Sequence, residues 1–250
     1  MNRRHALKAL AGLALCPLCA SAGFAANEHH WSYEGATGPS HWGEVDAASK
    51  VCSAGSQQSP VDIRGTVKSQ LPPLKIVWGK TADTIVNNGH TIQLNFAPGS
   101  ALNVGNDSFT LLQFHFHRPS EHLIGGKNFP MEVHFVHRNA AGSLAVVGVL
   151  MAAGKPNAVF SKIVTTMPAR EGPAVKANTA IDPSKLLPAK RNYYRYAGSL
   201  TTPPCSEVVD WLLLREPIQV AQADVDAFAK LYPMNARPVQ KDNRRFVLSS

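Results

Sequence analysis

The sequence contains no apolar run long enough to cross a bilayer. The longest, residues 9–22, falls short of the about 20 residues that a transmembrane helix needs. It follows Arg3 and Arg4 and ends in the small residues Ala20-Ser21-Ala22, a pattern typical of a cleaved export signal. We therefore predict a signal peptide over residues 1–22, a mature domain over residues 23–250 and no membrane anchor. The paired arginines leave the Sec and twin-arginine export routes both open.

Clusters of basic residues are also missing. The formal net charge is +8, with 25 Lys and Arg against 17 Asp and Glu. Three of the positive charges, Arg3, Arg4 and Lys8, belong to the predicted signal peptide, and the others are scattered along the chain. A protein that binds nucleic acid usually concentrates its positive charge in a patch or stripe. We therefore read the charge as that of a solvated surface and expect no nucleic-acid partner.

Cysteine is scarce. Cys16 and Cys19 would leave with the signal peptide, so the mature domain keeps Cys52 and Cys205. An even count in an exported chain predicts one disulfide, because disulfides persist outside the cytoplasm. Two separate buried thiols are the alternative that the residues alone leave open.

Helical periodicity is weak, and only residues 158–167 and 222–231 are candidates for helices. Short segments with strand character dominate instead, namely residues 74–78, 91–96, 108–117, 131–138, 144–151 and 209–214. Turn signals separate them, and the 18 glycines and 18 prolines favour many turns. With no repeat or linker, the pattern predicts one mostly β domain. We expect a large antiparallel or mixed sheet with short peripheral helices.

Two of these strands carry residues that can bind a metal. Gln113, His115 and His117 alternate with Leu112, Phe114 and Phe116, so the two sets should lie on opposite faces of the first strand. Glu132 and His134 share a face of the second strand, and His137 falls on the other, where we expect a structural role.

Three imidazoles with one open position form the layout of a catalytic zinc site. Gln113 and Glu132 each precede a histidine by two positions, where a side chain can hold the second ring nitrogen. The alternative is a half-buried strand with ordinary polar positions.

Beyond these strands, the chain resembles the α-class carbonic anhydrases over nearly all of its mature length. The matching segments are residues 58–63, 88–90, 113–117, 120–122, 132–137, 144–148, 193–196, 198–204 and 235–238. The exported form with two cysteines resembles the bacterial periplasmic branch. The resemblance implies a strongly twisted sheet of about ten strands and cis peptides at Ser59–Pro60 and Pro203–Pro204. Arg118-Pro119 departs from the Trp-Gly of the animal enzymes, which should alter only the cavity rim.

The resemblance also implies an activity. This is the reversible hydration of carbon dioxide to bicarbonate and a proton, by attack of a zinc-bound hydroxide. His115, His117 and His134 match the zinc ligands, with Gln113 and Glu132 as their orienting partners.

Other positions match further parts of the site. Thr201 and Glu121 match the pair that orients the hydroxide, and His90 matches the proton shuttle. Val136, Val146, Leu200, Thr202 and Trp211 match the substrate pocket, and Tyr33 and Asn88, again with Thr202, match the side that orders water.

Two other functions stay open for this chain. A zinc hydrolase of esters would use the same hydroxide, and a metal-free binding module would be expected to have lost a ligand histidine. The expected partner is a small-molecule substrate, and both a monomer and a homodimer are compatible with the sequence.

Overall fold

The computed structural model describes residues 31–79, 81–177 and 181–250. The predicted signal peptide, residues 1–22, lies outside these described residues. Within them, no helix combines the length and apolar character needed to cross a membrane.

Strands dominate the described residues. In chain order they are β1 (Asp62–Ile63), β2 (Val67–Lys68), β3 (Lys75–Val77), β4 (Thr84–Asn87), β5 (Ile92–Asn95), β6 (Ala101–Val104), β7 (Asp107–His117), β8 (Leu123–Ile124), β9 (Met131–Arg138), β10 (Leu144–Ala153), β11 (Val175–Lys176), β12 (Tyr193–Gly198), β13 (Val209–Val220) and β14 (Leu248–Ser249). The α-helices are α1 (Val51–Ala54), α2 (Ala158–Thr166) and α3 (Gln222–Ala229). Short 3-10 helices cover Gly35–Thr37, Pro39–Glu44, Ala48–Lys50 and Pro183–Leu186.

Twelve of the described strands form one sheet. Its main path runs β11-β4-β5-β7-β9-β10-β13-β12-β14-β2, with β6 paired to β7 and β3 paired to β6. The β10–β13 and β14–β2 pairs are parallel, and the other pairs of this sheet are antiparallel. The prediction of a mostly β domain with a large, mainly antiparallel sheet and short helices is confirmed.

The two faces of the sheet differ in polarity, since one is apolar and the other carries polar side chains. One face carries the main core cluster, which includes Phe109, Leu111, Phe114, Phe116, Val133, Phe135 and Val147. Helices α2 and α3 cover it, and the Phe116 ring lies 5.2 Å from that of Phe160 and 6.1 Å from that of Phe228, centroid to centroid. The opposite face carries the polar residues of β7 and β9.

A β-bulge in β7 decides which residues face the core. The pairing of β7 with β9 shifts register between Leu111 and Gln113, which leaves Leu112 as the extra residue. Leu111 therefore shares the core face with Phe114, although strict alternation would place Leu111 on the opposite face, with Gln113. Leu112, expected on the core face, is only partly buried and is not a member of the main core cluster.

The predicted disulfide is confirmed, since Cys52 in α1 is bonded to Cys205. It ties the N-terminal part of the chain to the segment that follows Thr201 and Thr202. Cis peptides occur at Ser59–Pro60 and Pro203–Pro204, and a third at Arg118–Pro119.

Candidate metal centre and active site

Three histidine rings meet on the polar face of β7 and β9. His115 lies directly opposite His134 in the strand pairing, and His117 follows on the same side of β7. The ring centroids lie 4.9 Å apart for His115 and His117, and 4.5 Å apart for His117 and His134. One nitrogen from each ring lies within 4.8 Å of the other two.

A hydrogen bond to an oxygen fixes the orientation of each ring. Nδ1 of His115 donates to Oε1 of Gln113 over 2.8 Å, and Nδ1 of His117 donates to the backbone carbonyl of Asn235 over 2.8 Å. Nε2 of His134 donates to Oε1 of Glu132 over 2.9 Å. Each ring is thereby left with its other nitrogen as a lone-pair donor. Those nitrogens are Nε2 of His115, Nε2 of His117 and Nδ1 of His134.

Glu132 is held from four sides. Its Oε2 accepts the backbone N–H groups of Glu121 and His122, at 3.0 and 2.9 Å. Its Oε1 accepts Nδ1 of His122 at 2.8 Å as well as the His134 ring. Burial acts to raise the pKa of Glu132, but the charges and hydrogen bonds of His122 and His134 outweigh it and hold that pKa well below its usual value. The carboxylate is therefore a fixed anion behind His134.

His122, Glu132 and His134 also lie close enough to share a metal. Their facing atoms are already joined in hydrogen bonds, however, and Nε2 of His122 is 2.7 Å from the Tyr196 hydroxyl. This group is therefore a buried network that supports the first three histidines.

The three converging histidines fit a zinc ion. Burial lowers the pKa of His115, His117 and His134, that of His117 to about 4, so all three rings are neutral at pH 7. Nε2 of His117 is buried without a hydrogen-bond partner, a condition that typically costs about 1–3 kcal/mol. Three neutral imidazole nitrogens with open coordination positions are the donor set of catalytic zinc sites.

Glu121 lies behind the same histidines. Its Oε1 accepts the backbone N–H of Arg237 at 2.8 Å, and its Oε2 is buried without a hydrogen-bond partner. Burial raises the pKa of Glu121 to about 7, against the opposing effects of His134, the Arg237 N–H and the Thr201 hydroxyl. Thr201 thus lies close enough to act on this carboxyl, although no hydrogen bond of ordinary geometry joins the two side chains.

A cavity of about 110 Å³ opens in front of the histidines. Its lining residues are Trp31, Tyr33, Asn88, His90, Thr91, Gln93, Gln113, His115, His117 and Thr202. The His90 ring stacks on Trp31, with centroids 3.6 Å apart and planes 9° from parallel. Of the residues that the sequence assigned to a water network or proton path, Tyr33, Asn88, His90 and Thr202 all lie in this lining.

An apolar cluster adjoins the third histidine. Val136, Val146 and Trp211 are buried in it, and Leu200 packs against it from a partly exposed position. The Trp211 ring lies 4.8 Å from the His134 ring, centroid to centroid. The candidate site thus has a polar side towards His90 and an apolar side towards Trp211.

Several residues of the site had no role assigned from sequence. Asn235 holds His117, Arg237 holds Glu121, His122 holds Glu132, and Trp31 stacks on His90. The first three lie in segments that match the family resemblance, which was the available signal. His137 is buried with its Nδ1 bonded to the carbonyl of Phe135 at 2.9 Å, away from the cavity.

Comparisons with known proteins agree with this geometry. A family model described as eukaryotic-type carbonic anhydrase matches residues 37–250. The carbonic anhydrase of Pectobacterium carotovorum is 41% identical over 232 residues, which cover 92% of this chain and 95% of that protein. The carbonic anhydrase of Neisseria gonorrhoeae is 45% identical over 224 residues, which cover 89% of this chain and 88% of that protein.

A solved structure gives the same result. The α-carbonic anhydrase of Thermovibrio ammonificans, in complex with the inhibitor sulfanilamide, superimposes with a TM-score of 0.86 at 43% identity and covers 88% of this chain and 98% of that one. The bacterial relatives and the Cys52–Cys205 bridge together indicate a protein that works outside the cytoplasm. The chain belongs to the family of the eukaryotic-type, or α-class, carbonic anhydrases.

Proposed function

We propose that this chain is a zinc enzyme that catalyses the reversible hydration of carbon dioxide to bicarbonate and a proton. The observation that carries the proposal is the convergence of three lone-pair ring nitrogens between a polar cavity and an apolar cluster. A site for carbon dioxide needs both sides, because the substrate is apolar whereas the products are charged.

His115, His117 and His134 would hold the zinc. When bound, zinc lowers the pKa of water and supplies a nucleophile near pH 7, an effect for which carbonic anhydrase is itself the reference case. Because the three ligands are neutral, they leave the charge of the ion undiminished. Gln113 and Glu132 would keep the rings of His115 and His134 in the required tautomers.

Thr201 and Glu121 would orient the attacking oxygen. A threonine hydroxyl that donates its hydrogen to a carboxylate can only accept from a second partner. Thr201 would therefore accept a hydrogen bond from the nucleophile and turn one of its lone pairs towards carbon. Oε2 of Glu121 supports this role, because it is buried, has no hydrogen-bond partner and can accept a hydrogen bond from the Thr201 hydroxyl.

The apolar cluster of Val136, Val146, Leu200 and Trp211 would hold carbon dioxide beside His134. The cluster presents aliphatic and aromatic surface, which suits a small molecule without hydrogen-bond donors. The new bond joins the oxygen of water to the carbon of carbon dioxide, and the water proton must leave the site.

His90 would carry that proton out of the cavity. The ordinary pKa of histidine, near 6.5, suits transfer to buffer at neutral pH. Tyr33, Asn88 and Thr202 line the cavity with His90 and would order the water molecules between it and the histidines of the metal centre.

The remaining features of the protein follow from the sequence. We propose a periplasmic location, with export by the Sec or the twin-arginine route and removal of residues 1–22 as the signal peptide. The partner is a small-molecule substrate, and the mature enzyme would be a monomer or a homodimer.

The decisive experiment combines a stopped-flow assay of carbon dioxide hydration with elemental analysis of the purified mature protein. We expect about one zinc per chain, rapid hydration, and inhibition by sulfanilamide, the inhibitor bound in the Thermovibrio ammonificans structure. Hydrolysis of small esters without carbon dioxide hydration would favour the hydrolase instead. A folded protein that takes up no zinc and has neither activity would favour a binding module.

A further inference from the structure

The side chain of Asn235 lies at the junction between the metal-binding strand and the turn that carries His90. Its Nδ2 donates to the backbone carbonyl of His90 at 2.9 Å and to that of Phe116 at 2.9 Å. Its Oδ1 accepts the backbone N–H of Arg118 at 2.7 Å. One amide therefore bonds both the His90 turn and the two residues that flank His117.

We propose that Asn235 is a positioning residue that fixes the distance between the zinc ligands and the proton shuttle, a role that rests on the function proposed above. Its backbone carbonyl holds the His117 ring, while its side chain holds the backbone of His90. A shift of this one residue therefore moves both groups together.

The chemistry of the position specifies asparagine. The residue is 0% exposed, and its side chain meets two carbonyl oxygens and one N–H group, all from the backbone. The types of these partners fix which end of the amide is nitrogen. Aspartate would place an oxygen against the carbonyls of His90 and Phe116, and a shorter or apolar side chain would leave buried backbone groups without partners.

Other contacts of the turn act at neighbouring positions. The Asn88 side chain accepts the N–H groups of His90 and Thr91, which shapes the turn internally. Thr91 bonds the carbonyl of Phe116 through its hydroxyl, but this bond lies one residue beyond His90.

The test uses Asn235→Ala in the zinc-loaded protein. Displacing a reacting group by about 1 Å can cost about 100-fold in rate. We expect kcat in weak buffer to fall by about 10-fold, kcat/KM for carbon dioxide to stay within about twofold of wild type, and concentrated imidazole buffer to restore kcat. In a His90→Ala background, Asn235→Ala should lower kcat little further, because the relay is already lost.

A second readout does not depend on activity. Transfer of zinc to a chelator should be about 10-fold faster in Asn235→Ala, because a residue that supports a ligand typically contributes 10- to 100-fold to metal affinity. Tyr232→Phe is the matched control, since its hydroxyl bonds Asn87 on the other side of the same turn. This control should change neither kcat nor zinc transfer. If Asn235→Ala does not fold, Asn235→Asp keeps the size of the side chain and removes both donors.

Three results would overturn the proposal. They are an unchanged kcat, an equal fall of kcat and kcat/KM that imidazole does not restore, or a fall of kcat in the His90→Ala background as large as in wild type. The last two would show a merely structural role. None of these touches the proposed function, which fails only if the wild-type protein itself lacks zinc or does not hydrate carbon dioxide.

Discussion

Gly148→Ala tests whether the carboxylate behind His134 is held as tightly as its contacts indicate. Gly148 lies on β10, opposite His134 in the strand pairing. A Cβ at this position would lie 2.8 Å from Cδ1 of Leu213 and 3.0 Å from Oε1 of Glu132. Both distances are below ordinary van der Waals contact, so at least one of the two side chains must move.

The expected magnitude follows from what each neighbour would lose. Overpacking a buried site costs about 1–3 kcal/mol, which corresponds to a fall in Tm of roughly 3–10 °C in a domain of this size. Glu132 cannot swing aside without straining its bonds to Glu121, His122 and His134. If the carboxylate moves, zinc affinity should fall by about 10- to 100-fold.

Two measurements separate these effects, namely thermal unfolding of the zinc-free protein and zinc affinity by competition with a chelator. Gly65→Ala is the control, because a Cβ there would meet no atom within 4 Å. A lower Tm with unchanged zinc affinity would show that Leu213 gives way and Glu132 does not. Wild-type values for both quantities would refute the reasoning.

Four further outcomes are expected. His117→Ala should lose most of the zinc in elemental analysis, because two histidines cannot replace three, and wild-type zinc content would exclude His117 as a ligand. His90→Ala should lower kcat but not kcat/KM, with rescue by imidazole, and an unchanged kcat in weak buffer would exclude His90 as the main relay. The Cys52–Cys205 bridge spans 153 residues, and its reduction should lower the free energy of unfolding by up to about 5 kcal/mol. Activity per folded molecule should then fall by a larger factor than the zinc content does. An unaltered Tm would contradict the predicted loss of stability. Burial lowers the pKa of His137 from 6.5 to about 4, so its stabilising effect is complete above pH 6.5 and is lost as the pH falls towards 4. His137→Gln should therefore reduce the loss of stability over this window by up to about 3 kcal/mol in urea unfolding of zinc-free protein, and an acid profile identical to wild type would refute it.

Local patterns predicted the elements that bear the site. The predicted strand over residues 131–138 has the bounds that the structure gives β9, and the predicted helix over residues 158–167 ends one residue beyond α2. These segments could be predicted from the sequence because alternation and helical periodicity are local properties of the chain. The prediction for residues 209–214 stopped short of the end of β13 at Val220. Pro217 interrupts the pattern there, and the pairing with β10 shifts register over the same region, which accommodates a proline within a strand.

Contacts between distant segments could not be predicted from local sequence patterns. The bulge at Leu112 changes which side of β7 faces the core, yet a leucine among apolar neighbours gives no sign of it. The Asn235 carbonyl bonds a histidine 118 positions earlier, and any residue has a carbonyl to offer. The family resemblance marked the segment that contains Asn235, but its role required the folded chain.

The order of synthesis has a consequence for the paired strands β7 and β9, which carry the three histidines. His115, His117 and His134 come from a single stretch of the chain, whereas the carbonyl that holds His117 and the N–H that holds Glu121 come from Asn235 and Arg237, near the C-terminus. A nascent chain that has emerged as far as β9 already carries all three proposed metal ligands but none of this support. It would bind zinc weakly and release it readily. We therefore expect tight retention of zinc only after the segment with Asn235 and Arg237 has been made, so C-terminally truncated molecules should compete poorly for scarce zinc.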